Sequence, residues 1–259
     1  MTTDEPHELR YVYAVCHPLG APLQAELTGV AGAPPRQLEH RGLVAVVGSV
    51  PERDFAEAPL RSHLEDLDWL TETARAHQNV IAALTTVTSP LPLRLATVFR
   101  DDSGVRLMME QEERRFRTGL DRLAGRVEWG VKVYVEEPGT PAPAPAPAAS
   151  GRDYLRRRRA ERTARDDTWR RAERFAQELH DELSRHAAHT RIHPPQNPEL
   201  SRASGMNVLN AAYLVERSGA EEFVERVDAT KGREPDLRVE LTGPWAGYSF
   251  TAEEQEADT

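Results

Sequence analysis

Hydrophobic residues follow two different periods along this chain, and the two periods alternate. In some segments every second residue is apolar, which is typical of a half-buried strand, whereas in others apolar residues recur every three or four positions, as in an amphipathic helix. The predicted strands are Leu9–Cys16, Leu43–Gly48, Leu91–Phe99, Val127–Val135, Val208–Val215 and Leu237–Leu241. Strands that are interleaved with helices predict an α+β protein.

Three helices are predicted between these strands. One covers about residues 60–87, and a second begins after Asp101, whose side chain can accept a hydrogen bond from a free N–H group, and ends near Gly125. The third, Asp153–His189, is packed with charges of both signs and has only a narrow apolar stripe. Two interpretations of the third helix stay open: a solvated helix held by ion pairs between successive turns, or a helix whose stripe docks on a partner.

The domain boundary is predicted near residue 125. The segment Pro138–Ser150 reads PGTPAPAPAPAAS, which is typical of a polyproline-like spacer. Only two clear strands follow that segment, and a two-stranded sheet is barely stable alone, so the strand at 127–135 must belong with them. The pattern therefore predicts two α+β domains, 1–124 and 125–259, each with a small mixed or antiparallel sheet. The Pro-rich stretch is predicted to be an exposed loop inside the second domain, which ends in an aromatic and acidic tail.

Composition excludes several classes of protein. The net charge of −9 argues against general nucleic-acid binding, which requires a basic surface. The single cysteine excludes an intramolecular disulfide and fits a reducing compartment. The most apolar run, Gly42–Val50, is too short to span a bilayer, and no secretory leader opens the sequence. These features predict a soluble cytoplasmic protein that binds neither nucleic acid nor membrane.

Candidate catalytic chemistry is sparse. No phosphate-binding GxxxxGK[ST] motif occurs, and no GxGxxG follows a strand. Cys16 ends a strand and is interpreted as a buried, inert thiol rather than a nucleophile. His186, His189 and His193 have a spacing that could place them on one helical face, but zinc needs a fourth ligand and Pro194 follows directly. We therefore predict no catalytic site, no cofactor and no bound metal.

The segment Thr242–Phe250, TGPWAGYSF, is the most distinctive in the chain. It places the rings of Trp245, Tyr248 and Phe250 within six residues, next to the acidic chain end at Glu253–Asp258. Chain ends are usually polar and loosely held, so an aromatic cluster there must pack on something. Either the tail folds back over its own domain, or it offers an aromatic patch to a partner.

Four further segments are also distinctive. Residues Pro92–Arg100 read PLRLATVFR, Val127–Tyr134 read VEWGVKVY, and the strands at Arg10–Val15 and His40–Val47 read RYVYAV and HRGLVAVV. Together with TGPWAGYSF, these segments resemble, in the same order, the motifs of the gas vesicle GvpL/GvpF family, which are typically PLRFGTVF, EWxVKVY and GPWxxYSF. The resemblance runs from about residue 10 to about residue 250 of this chain.

The chain departs from the family pattern at two places. Leu95 and Ala96 stand where the family typically has an aromatic residue followed by glycine. Ala246 and Gly247 stand where the family usually has two prolines. Without those prolines the turn after Trp245 is expected to be looser.

The resemblance implies both a fold and a function. It implies a modified ferredoxin-like second domain and an accessory role in forming gas vesicles, which are gas-filled protein shells in prokaryotic cells. The implied partners are the very hydrophobic shell subunit GvpA and other accessory Gvp proteins, without any cofactor. Two other classes stay open from the residues alone: a general protein-interaction scaffold with no link to gas vesicles, and a metal-dependent enzyme that uses the histidine cluster.

Several family-like positions are candidates for structural or partner contacts. Arg94 and Lys132 each lie among apolar strand neighbours, where a charge needs a carboxylate partner, and Glu128 is a candidate for that partner. Ion pairing and partner contact both stay open for them. Trp129 and Trp245 are interpreted as core residues, although exposed Trp is favoured in binding hot spots. The full set of candidates is Arg94, Glu128, Trp129, Lys132, Trp245, Tyr248 and Phe250.

Overall fold

The computed structural model of the chain describes residues 7–20, 23, 26–136, 151–195 and 205–251. The chain divides into two compact units. The first comprises the residues up to Val127 together with the segment from Trp245 onward, and the second comprises Glu128–Pro244. The predicted Pro-rich loop at 138–150 and the acidic residues 253–258 lie outside the described residues.

The first unit is built on a five-stranded antiparallel sheet. Its strands are β1 (Glu8–Cys16), β2 (Arg36–His40), β3 (Leu43–Pro51), β4 (Leu91–Pro92) and β5 (Val98–Phe99). The order is β2-β3-β1-β4, and β5 also pairs with β1. The long central strands β1 and β3 are almost completely buried, which explains why their sequences are nearly continuous runs of apolar residues.

Helices cover both faces of this sheet. They are α1 (Glu52–Phe55), α2 (Glu57–His63), α3 (Leu67–Val87), α4 (Asp102–Gln111) and α5 (Glu113–Leu123). On one face, Tyr11 and Tyr13 share a core cluster with Ile81 of α3. Because successive strand residues point to opposite faces, Arg10 points to the other face, and its Nε lies 2.9 Å from Oδ1 of Asp102, the first residue of α4.

Aspartate side chains set the starts of two helices. The Oδ1 atom of Asp101 accepts a hydrogen bond from the N–H of Gly104, as the sequence predicts. The Oδ1 atom of Asp66 accepts from the N–H groups of Asp68 and Trp69 and so begins a new helix there. The single helix predicted at about 60–87 is therefore wrong in one respect, because a turn before Asp66 divides it into α2 and α3.

The predicted strand at 91–99 is also divided. It forms β4 and β5, with a turn at Leu95 and Ala96 between them, and Ala96 has a φ of +61°. A side chain at such a φ is unfavourable, because its Cβ crowds the neighbouring carbonyl oxygen. Glycine avoids this crowding. The structure thus gives a physical reason for the glycine that the family pattern has at this position.

We expect Ala96→Gly to raise the free energy of unfolding by about 0.5–1 kcal/mol, because relief of the left-handed strain exceeds the added freedom of the unfolded chain. Denaturant unfolding followed by circular dichroism measures this change. The matched control is Ala82→Gly at an exposed position inside α3, which should lower the free energy of unfolding by about 1 kcal/mol. A loss of stability in Ala96→Gly similar to that of the control would contradict the prediction.

The second unit has a four-stranded sheet in the order β7-β8-β6-β9. Its strands are β6 (Arg126–Val135), β7 (His189–Ile192), β8 (Met206–Glu216) and β9 (Leu237–Trp245), and its helices are α6 (Gly151–Ser184) and α7 (Ala220–Asp228). The β-α-β-β-α-β succession with this order is that of a ferredoxin-like fold. The predicted α+β class, with two small sheets and a ferredoxin-like second part, is confirmed.

Helices α6 and α7 pack on this sheet through β8. The ring of Tyr213 lies 5.5 Å from that of Phe223 in α7, and its hydroxyl oxygen lies 2.9 Å from Nδ1 of His180 in α6. The predicted third helix is too long, because α6 ends at Ser184 and His189 already belongs to β7. Among the described residues, no helix combines the length and the apolar character that a bilayer crossing requires.

Candidate functional site

The C-terminal aromatic segment, residues 245–250, packs on the first unit. Ala246 and Tyr248 contact the same core cluster as α3, and Phe250 is 5% exposed. The hydroxyl of Tyr248 donates a hydrogen bond to Oε1 of Gln78, and Nη1 of Arg122 donates to the carbonyl oxygen of Phe250 at 3.2 Å. The tail does fold back, but assigning it to the second domain is wrong, because its partners lie in α3 and α5.

Trp245 differs from the other two rings of this segment. Its side chain is 42% exposed, whereas Phe250 is buried and Tyr248 is half-buried. Trp245 ends β9, and the 3₁₀ turn of Tyr248–Phe250 begins three residues later. The interpretation of Trp245 as a core residue is therefore wrong, and of the three rings it presents the most apolar surface to solvent.

The candidates on β6 are mostly buried. Glu128 and Trp129 are 8% and 9% exposed, and Lys132 is half-buried. Because side chains alternate along a strand, Glu128 and Lys132 share one face of the sheet and Trp129 lies on the other. The Trp129 ring packs closely on Gly243, where an added Cβ would lie 2.9 Å from a ring carbon. Trp129 is thus a core residue of the second unit.

Lys132 belongs to a group of basic side chains. Burial lowers the pKa of His193, and the nearby charges of Arg191 and Lys132 lower it further. Arg191 lies on the edge strand β7, opposite Ala212 of β8. The charges of Lys132 and Arg191 thus lie close enough to His193 to disfavour its protonation.

Arg94 lies outside the strands, in the turn between β4 and β5, and its side chain is exposed. Its carbonyl oxygen accepts hydrogen bonds from the N–H and the hydroxyl of Thr97. A solvated guanidinium needs no carboxylate partner. The sequence predicts a partner such as Glu128 for Arg94 because Arg94 is expected to be buried among apolar strand neighbours. Since Arg94 is exposed, this reason does not apply.

The two halves of α6 differ. In the second half, the apolar stripe packs on the unit's own sheet, and its buried residues are Ala172, Ala176, Leu179 and Leu183. In the first half, residues 152–167 are exposed except for half-buried Arg157, and ion pairs with distances of 3.8–3.9 Å link successive turns. Residues 152–167 include seven arginines and four carboxylates. This half of α6 is a solvated basic arm, which agrees with the first of the two interpretations.

Sequence reasoning missed a cavity of about 240 Å³ in the first unit. It lies between the loop at Gly29–Gly32, α1 and α3, and the rings of Phe55 and Trp69 form part of its wall. The carboxylate residues Asp54 and Glu72 also line it. The available signal was a Trp three residues after the Asp cap of an amphipathic helix, but the residues around the cavity come from three separate segments.

Cys16 and the histidines His186, His189 and His193 are not arranged as a nucleophile or as a shared metal site. Cys16 is fully buried, and burial raises the pKa of its thiol to about 12, so the reactive thiolate is suppressed. The proposed helical face of three histidines is wrong, because His186 follows the end of α6, His189 begins β7 and His193 follows β7. Within the described ranges, no group of three or more His, Cys, Asp or Glu residues could hold a metal ion.

Comparison with known proteins gives consistent results. A model of the family described as "Gas vesicle synthesis protein GvpL/GvpF" matches residues 9–252. Gas vesicle protein L of Streptomyces sp. (strain CB03234) is 55% identical to the chain, covering 100% of it and 98% of the relative. Gas vesicle protein F of the same organism is 28% identical, covering 93% of this chain and 98% of that protein.

Two crystal structures share the fold. Gas vesicle protein GvpF from Anabaena sp. PCC7120 has a TM-score of 0.68 at 17% identity, and covers 95% of this chain and 97% of its own. GvpF from Microcystis aeruginosa has a TM-score of 0.65 at 18% identity, with coverages of 95% and 99%. The family match and the 55% identical relative together show that this chain belongs to the GvpL/GvpF family of gas vesicle proteins.

Proposed function

We propose that this protein takes part in gas vesicle assembly by binding the hydrophobic shell subunit GvpA, other accessory Gvp proteins, or both. It acts in the cytoplasm or at the gas vesicle, as an assembly factor or as a minor component of the wall. Family membership supports this role. A very hydrophobic subunit with exposed strand edges pairs with itself before it reaches the wall, so a protein that holds it prevents wrong aggregation.

The proposed role is binding without catalysis. The buried thiol of Cys16, with a pKa raised to about 12, suits the core of a sheet and not a nucleophile. The charged candidates Arg94 and Lys132 are at least partly exposed, and we include them in the proposal as peripheral contacts for a partner. Glu128 and Trp129 have structural roles in the proposal, because both are buried.

The observation that carries the proposal is the exposure of Trp245 within the family-type ending. Tyr248 and Phe250 attach the segment to the first unit, and this attachment holds the neighbouring indole in a defined place. A rigid aromatic side chain loses little conformational entropy on binding, and Trp is enriched in binding hot spots. We therefore assign Trp245 to the centre of the partner surface.

We expect Trp245→Ala to weaken the capture of partner Gvp proteins at least about tenfold, because it removes a central aromatic contact. Co-purification from cells that also produce tagged GvpA and the accessory Gvp proteins measures this loss. The matched control is Leu67→Ala, which removes an exposed apolar side chain of the same unit, 76% exposed, and should leave capture unchanged. Equal capture by both variants would remove Trp245 from the partner surface.

A second experiment tests the role itself. Cells that lack this chain should form fewer or misshapen gas vesicles, and electron microscopy counts and measures them. Expression of the unchanged chain from a plasmid should restore them. Vesicles of normal number and shape without the chain would contradict a role in assembly.

A further inference from the structure

The cavity between α1, α3 and the loop at Gly29–Gly32 has aromatic walls in a fixed arrangement. The ring centroids of Phe55 and Trp69 are 5.4 Å apart, and the ring planes make an angle of 48°. The His63 ring is stacked on Trp69 with a centroid distance of 4.9 Å and so supports the indole. Because Phe55 is 4% exposed, the aromatic surface available to a ligand belongs mainly to the half-buried Trp69 ring, which is already positioned before a ligand arrives.

The loop that closes the cavity is also held in place. The N–H of Val30 donates to the Tyr13 hydroxyl at 2.8 Å, and the N–H of Gly29 donates to the carbonyl oxygen of Ala33 at 2.8 Å. Tyr13 itself is fully buried in the core. Because the loop is fixed to the core, little conformational entropy is lost when a side chain enters the cavity.

The cavity is acidic. Asp54 and Glu72 contribute its two carboxylates, and neither is deeply buried. Among the described residues, the cation within ion-pair distance of Asp54 is Arg53, at 3.3 Å, and that side chain is 84% exposed. No cation of the described part of the chain lies within ion-pair distance of Glu72. The two negative charges are thus weakly compensated from within the chain.

We propose that this cavity binds the guanidinium group of an arginine side chain supplied by a partner polypeptide. A guanidinium stacks on aromatic faces and pairs with carboxylates, and both kinds of group are present in the lining of the cavity. The identity of the partner as a gas vesicle protein rests on the proposed function. The arginine specificity rests only on the cavity itself, whose lining includes Asp54, Phe55, Trp69 and Glu72.

The test uses the purified full chain and small arginine derivatives as probes. Nα-acetyl-arginine amide is titrated into the ¹⁵N-labelled protein while the indole N–H signal of Trp69 is followed by NMR. The expected result is a saturable shift with millimolar affinity that weakens as salt is added. The matched probe is Nα-acetyl-citrulline amide, which has nearly the same shape without the charge and should bind about tenfold more weakly.

Variants connect the signal to the cavity. Glu72→Gln should weaken binding of the arginine probe about threefold to tenfold, whereas Glu39→Gln, an exposed carboxylate change on β2, should have no effect. Equal binding of the citrulline probe, or an unchanged affinity in Glu72→Gln, would overturn the proposal. Equal binding of acetyl-lysine amide would overturn the choice of arginine. Since the assay contains no gas vesicle protein, its failure and the failure of co-purification are separate results.

Discussion

Replacing Gly243 by alanine is expected to lower the free energy of unfolding of the second unit by about 4 kcal/mol. An added Cβ would lie 2.8 Å from the carbonyl oxygen of Glu128 and 2.9 Å from a ring carbon of Trp129. The first of these atoms is backbone of the adjacent strand β6, so it cannot move away without disturbing the sheet. In addition, Gly243 has a φ of +130°, which side chains other than glycine rarely adopt.

Hydrogen exchange measured by mass spectrometry is the appropriate readout, because it reports peptides of β6 and β9 separately from the first unit.

Two control variants separate the effect of the positive φ from the effect of the steric clash. Gly42→Ala has a φ of +75° but no atom within 4 Å of the new Cβ, and should cost about 1 kcal/mol. Gly219→Ala has an ordinary φ of −101° and open space, and should change stability by at most about 0.5 kcal/mol. A loss in Gly243→Ala no larger than that in Gly42→Ala would contradict the packing argument.

The long strands could be predicted from the sequence because tertiary packing reinforces their local pattern. Strands β1, β3 and β6 are buried for most of their length, so their Val-rich sequences point to strands before any contact is known. For the same reason the class of the fold and its two sheets follow from local periodicity. The boundaries of these strands differ from the prediction by only a few residues.

The short edge strands could not be predicted. β2 and β7 have five and four residues, and most of them are polar. Their extended conformation comes from hydrogen bonds: β2 pairs with β3, and β7 pairs with β8. The sequences of β2 and β7 themselves carry no strand pattern. The turn at Ala96 was missed for a related reason: alanine gives no local sign of a left-handed φ.

The candidate site also depends on contacts that the sequence does not reveal. The sequence identifies the aromatic ending, but which ring is exposed depends on Gln78 and Arg122, which are far from Trp245 in the chain. Similarly, the cavity between α1 and α3 combines a loop near residue 30 with two helices beyond residue 50. Local patterns can mark the residue types that bind partners, whereas their exposure is fixed by contacts between distant segments.

Acidification is expected to destabilise the first unit through His77. This side chain is 3% exposed, and burial lowers its pKa from 6.5 to about 4. Its Nδ1 lies 2.9 Å from the hydroxyl oxygen of Tyr11, which also accepts a hydrogen bond from the N–H of Ala96. Nε2 is buried and has no hydrogen-bond partner among the described residues. Protonation of the neutral ring would therefore place an unpaired charge in the core.

The sign of the pH dependence follows from the two pKa values. Between about pH 6.5 and pH 4 the unfolded chain binds a proton that the folded chain excludes, so the contribution of His77 is fully present above pH 6.5 and decreases as the pH falls. The decrease reaches about 3 kcal/mol at pH 4. Carboxylates such as Asp102, whose pKa is held low by Arg36 and Arg10 against the opposing effect of burial, lose their contribution only at lower pH.

The variant His77→Asn tests this assignment, because its amide oxygen can accept the Tyr11 proton but the side chain does not titrate. Denaturant unfolding at a series of pH values should give a clearly smaller slope of stability between pH 6.5 and pH 4.5 for this variant, and the slope that stays is assigned in part to His193, whose pKa is also lowered. His17→Asn, which removes an exposed histidine of the same unit, should keep the slope of the unchanged protein. If His77→Asn keeps that slope as well, the acid sensitivity arises elsewhere, and His77 must be accessible to a proton in the folded chain.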